Sequence, residues 1–165
     1  MSQSSRISFV GAVSLAALAA AAPAFAASDK AFLNKAMQGD NSEIQIGKLA
    51  EQKGASQGAR DFGHMLVMDH GMHKEKVAAL ATSIGAKLSD SLPLMAKLEV
   101  HKLKGLSGPK FDHEFATDMV KDHKQAISEF EKQARGQGPV ADLARDALPT
   151  LHKHLDTAEQ LTRGG

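Results

Sequence analysis

The chain has no cysteine, no tryptophan and no tyrosine among its 165 residues. Without cysteine there is no disulfide framework, no thiolate nucleophile and no lipoprotein anchor. Losing tyrosine and tryptophan removes tyrosyl-radical chemistry and aromatic stacking platforms. There is no block of basic residues, which argues against a nucleic-acid partner. No glycine-rich loop is set to cradle phosphate, and no glycine elbow positions a serine nucleophile. Strand signals are missing too, so no alternating series exists that could close a membrane barrel.

The one long apolar run is at the start. Arg6 supplies a short positive region, Ile7 to Ala22 is nearly all apolar, and Ala24-Phe25-Ala26 matches an A-x-A cleavage site. Residues 1–26 are therefore expected to be a signal peptide, and the protein a periplasmic one. Cleavage leaves 139 residues as a single domain, 27–165, with 19 basic and 19 acidic residues. No second apolar span follows, so no integral membrane insertion is expected after cleavage, although peripheral association with the envelope is compatible.

Breakers and caps divide the rest into helices. Ser28 or Asp29 is expected to cap a first helix ending near Gly54, and Ser56 to open a second that stops at Gly85. Residues 86–108 read as a connector containing a short helix, entered at Asp90-Ser91 with Pro93 in its first turn. A third long helix covers about 110–135. The fourth starts near Pro139 and runs to about Arg163, bent at Pro149. Two tight turns and one long connector predict an all-α, ferritin-like antiparallel four-helix bundle, with the extra helix between two hairpins.

Two segments repeat one another around an Asp-His pair. Phe62, Leu66, Asp69, His70 and Val77 correspond to Phe115, Met119, Asp122, His123 and Phe130. At 100° per residue, His73 falls within the apolar stripe of the second helix, while both Asp-His pairs sit on stripe shoulders. Glu43 shares a face with Phe32, Ala36, Gly47 and Ala50, small residues that leave room beside a carboxylate. Leu148, Leu151, Leu155 and Ala158 of the last helix are flanked by His152 and His154.

All these polar residues lie near the middle of their helices and so fall in one layer. Groups of this kind are costly to bury without partners. Glu43, Asp69, His70, His73, Asp122, His123 and His154 are thus candidate ligands of a divalent metal such as zinc, manganese or iron. The competing reading is a polar lock, in which carboxylates accept from imidazoles and fix helix register without a ligand. Iron chemistry of the usual bundle kind needs Glu-x-x-His on two helices, and that motif is absent. No catalytic residue is assigned. A second line, His64 with Met65, Met68 and Met72, carries thioethers suited to Cu(I), although such a stripe more often packs against a neighbouring helix.

These residues resemble those of a bacterial, exported, ferritin-like family of unknown function, often labelled "outer membrane protein". The resemblance spans about residues 30–162. It rests on Phe32 with Ala36, Glu43-Ile44, Gly47-Lys48-Leu49-Ala50, Phe62 through Met65, and Asp69-His70. It continues in Leu106-Ser107-Gly108, Phe111-Asp112, Asp118-Met119-Val120, Asp122-His123, Leu148-Pro149-Thr150-Leu151 and His154-Leu155. It implies fold and location, with Glu43, Asp69, His70, Asp122, His123 and His154 on family positions. His73 and the methionine line are particular to this chain. A helical bundle does not fit the label taken as an integral barrel.

Overall fold

A computed structural model describes residues 21–164, with side chains from residue 27 onward. Arg6 and most of the apolar run lie outside the described residues. Among the described residues there are four long helices and one short one: α1 (Ala21–Lys53), α2 (Gln57–Ser83), α3 (Leu94–Lys104), α4 (Gly108–Ala134) and α5 (Pro139–Gly164). No described helix is long and apolar enough to cross a membrane.

The chain is already helical at Ala21, the first described residue, so the expected cap at Ser28 lies inside α1, where the alanine-rich sequence favours helix. The turn into α2 is tied from three sides. Asp112 of α4 accepts from the amides of Ala55 and Ser56, at 2.8 and 2.7 Å. Arg60 donates to the carbonyls of Gly54 and Ala55. Ser56 caps α2 as expected, its hydroxyl accepting from the Ala59 amide.

Gly85, just beyond the end of α2, and Gly138, just before α5, have φ of +67° and +89°, a left-handed region that side chains resist. Pro93 departs from expectation. It precedes α3 as its N-cap, with extended backbone, while Ser89 and Ser91 form a local turn upstream. Helix α5 continues unbroken through Pro149.

Hydrogen bonds along the connector establish the topology. Asn34 accepts from the Ser89 amide, Asn41 donates to the Asp90 carbonyl, and Lys53 donates to the Lys104 carbonyl. The connector therefore runs parallel to α1 along its length. Because α4 begins beside the start of α2, the crossover spans the bundle, and α2 and α4 point the same way. This is the ferritin-like arrangement, two hairpins joined by a long crossover.

Between α1 and α2 the backbones touch. A Cβ built on Gly63 would lie 2.6 Å from the Gly47 carbonyl oxygen and 2.7 Å from the Ala50 Cβ. The room left by the small residues near Glu43 is thus filled by the neighbouring helix, not by a ligand.

The apolar interior is divided. Leu33, Met37, Val77, Ile127, Phe130, Leu143 and Leu151 form one core. Ile46, Phe62, Leu66, Leu103, Phe111, Phe115 and Met119 form the other. Between them lies a polar layer containing buried Asp40, Glu43, His70, His123 and His154.

Candidate metal centre

The helical repeat of α2, α4 and α5 brings three imidazoles together at this layer. One ring nitrogen each from His70, His123 and His154 lies within 4.8 Å of the other two. His154 is fully enclosed and His123 nearly so. Phe62 walls the group from below, its ring 6.1 Å from that of His154 and 6.5 Å from that of His123.

Each imidazole has an acceptor on its outer side. His70 donates from Nδ1 to Asp40 at 2.9 Å. His123 donates from Nδ1 to the Met119 carbonyl, one helical turn back, at 2.9 Å. His154 presents Nε2 to Asp69 at 2.9 Å. A neutral imidazole carries one N–H, so these bonds fix the tautomers. They leave a lone pair on Nε2 of His70, Nε2 of His123 and Nδ1 of His154.

The consequences are visible inside the triad. His70 Nε2 is buried without a hydrogen-bond partner. His123 Nε2 and His154 Nδ1 face each other at 3.3 Å, lone pair against lone pair. A cation between them resolves that opposition. A proton is a poor candidate at neutral pH: burial pushes His123 protonation down to about 3 and that of His154 to about 4.

The other expected ligands sit further out. Asp69 touches the triad only through His154. His73 donates to the Asp40 carboxylate at 2.9 Å, so Asp40 bridges two imidazoles. Glu43 and Asp122 face a third carboxyl, Glu99 of α3, rather than the imidazoles. Burial and the Asp122, Glu99 and Asp40 carboxylates raise Glu43 well above the usual range. Burial, with Asp122 beside it, pushes Glu99 up to about 8, and burial also raises Asp122. Lys102 pairs with Asp118 and Glu114 at 2.6 and 2.7 Å on the edge of this cluster.

Asp40 and Glu99 were absent from the sequence-derived set. Asp40 lies three residues before Glu43, and that spacing is a signal for the same helix face. Glu99 had none, since docking of α3 across the bundle leaves no periodicity to read. His152 is exposed and takes no part. The methionine line does not pack as a core stripe: Met68 and Met72 are 51% and 54% exposed, and only Met65 is partly buried, against the core that contains Phe62 and Phe115. His64 is turned away to pair with Glu51 at 2.8 Å.

A family profile described as "Domain of unknown function (DUF4142)" matches residues 14–161. The fold is similar to that in the crystal structure of a DUF305 fragment from Deinococcus radiodurans, with a TM-score of 0.74 and 15% identity. That likeness covers 82% of this chain and 95% of the other. No curated protein sequence matches.

Proposed function

The chain belongs to the DUF4142 family, a domain of unknown function, and on that premise we propose that it is an exported metal-binding bundle. The ion is held by His70, His123 and His154. One observation carries this reading: three imidazoles commit their N–H groups outward and aim unpaired nitrogens at one another. Metal-binding histidines are oriented in this way by outer carboxylates and carbonyls. Three nitrogen ligands favour zinc, iron(II) or copper over manganese, which prefers oxygen donors. Export to the periplasm rests on Arg6, the apolar run and Ala24-Phe25-Ala26. Handling a metal in the envelope, or responding to envelope stress, is the role that fits both.

The test uses protein purified without an affinity tag from the bacterial envelope. Its intact mass should begin at Ala27, and chelation should lower its melting temperature. Ligand binding adds RT ln(1 + [L]/Kd), about 2.7 kcal/mol at a hundredfold excess over Kd. Zn²⁺ or Fe²⁺ should restore that stability in the parent protein and not in the His70→Ala/His123→Ala variant. Melting that ignores chelator and metal alike would leave the second reading, a polar lock with a structural role. The Asp40 bridge between His70 and His73 supports that alternative.

A further inference from the structure

Beside the triad lies a cleft of about 900 Å³, lined by residues of all five helices and open to solvent. An ion and its ligands need far less space. Its mouth is apolar: Met72, Met95 and Leu98 line it and are 54%, 70% and 53% exposed, with Phe32 at its side. Its inner surface is acidic, with eight carboxyl groups against four lysines around the whole cleft.

Glu43 is the pivot. It lines the cleft, is 92% buried by its 8% exposure, and its Oε2 has no hydrogen-bond partner. The charged groups acting on it, Asp122, Glu99 and Asp40, are all acidic. A buried carboxyl among carboxyls lacks both a positive charge and a hydrogen-bond donor. The geometry points to this cleft as a binding site for a primary ammonium ion that carries an apolar body.

Two features select that class over a second metal ion. Among the described residues, the only ligand set that converges within 4.8 Å is the imidazole triad, so the carboxyls do not close around a point. A metal also leaves the exposed methionine and leucine side chains at the mouth unexplained. An alkylammonium uses both ends: its N–H groups donate to Glu43, and its chain covers Met72, Met95 and Leu98. Ligand sites of this size are commonly apolar with a few directed polar groups.

Calorimetric titration of metal-free protein separates this inference from the metal reading, because no ion occupies the triad. Octylammonium is the probe. Octyltrimethylammonium keeps the charge without a donor, butylammonium shortens the apolar body, and 1-octanol removes the charge. Octylammonium should bind at least about tenfold more tightly than each of the three. Glu43→Gln, close in shape to the protonated acid, should fold normally and weaken octylammonium about tenfold. Failure of octylammonium to bind at millimolar concentration would overturn the proposal. Equal binding of 1-octanol would show a merely greasy cleft, and displacement by equimolar Mg²⁺ would show a hard-metal site. Either result, or an unchanged affinity in Glu43→Gln, also overturns it.

Discussion

Asp40 shows how one residue sets the chemistry of its neighbours. It is 3% exposed and accepts from Nδ1 of both His70 and His73. Asp40→Ala leaves two imidazole donors in the interior without an acceptor, and His73 is close enough to the surface to recover water. The expected loss is about 2–3 kcal/mol in chemical denaturation of metal-free protein. The same change frees His70 to turn over or switch tautomer, so metal affinity should drop roughly 10–100-fold. Lost stability with unchanged metal affinity would make Asp40 a packing residue only. Much of this layer was legible in the sequence, because mid-helix polar residues beside apolar stripes must meet at one height. Pairing was not. Asp69 and His70 are chain neighbours, yet Asp69 serves His154 and His70 is served by Asp40. The repeated Asp-His segments likewise end in different roles, since His123 uses its own helix carbonyl and Asp122 faces Glu99. A wheel shows which face a side chain occupies, not which helix comes opposite.

At the scale of elements, the hairpin α1–α2 depends on backbone proximity at Gly47 and Gly63. Gly63→Ala puts a methyl group 2.6 Å from the Gly47 carbonyl oxygen and 2.9 Å from the Glu51 amide nitrogen. Neither is the movable end of a side chain, so the helices must part. Overpacking costs typically 1–3 kcal/mol, and alanine returns roughly 1 kcal/mol of helix propensity. A net loss of about 1 kcal/mol is expected in urea unfolding. Gly39→Ala, on α1 with open space around it, should stabilise through propensity alone. A neutral Gly63→Ala would show that the hairpin has slack the geometry denies. Element ends were well marked where a cap or a left-handed glycine was needed, as at Ser56, Gly85 and Gly138. Ser28 was a misleading mark, since it lies inside α1, where the alanine-rich sequence carries the helix through it. The turn tie from Asp112 to Ala55 and Ser56 was invisible, because it joins residues 57 and 56 positions apart.

For the molecule as a whole, the polar layer divides the core and makes stability a balance between two opposed sets of groups. Burial holds His123 and His154 neutral, with protonation pushed down to about 3 and about 4. From there up to about 6.5, the unfolded chain binds more protons than the folded one. This contribution is therefore complete above about pH 6.5 and is lost as pH falls below it. Glu43 and Glu99 behave in the opposite sense, because burial raises both above the ordinary carboxyl range, Glu99 up to about 8. Their contribution is complete below about 4.5, the ordinary value, and is lost as pH rises. Between about 4.5 and 6.5 the two slopes offset one another. Metal-free protein should accordingly show a flat stability maximum across that interval. Above it, only the carboxyls act and stability should fall toward pH 8. Below it, only the imidazoles act and stability should fall toward pH 4. Denaturation midpoints at pH 4, 5.5 and 8 check this, with 5.5 highest. Zn²⁺ should lift the pH 8 midpoint more than the pH 4 midpoint, since protons compete for imidazole nitrogen in acid. A midpoint that climbs steadily from pH 5.5 to 8 without metal would mean that Glu43 and Glu99 are ionised in the folded protein. The acidic cluster would then hold charge rather than protons, and some cation would have to be resident there.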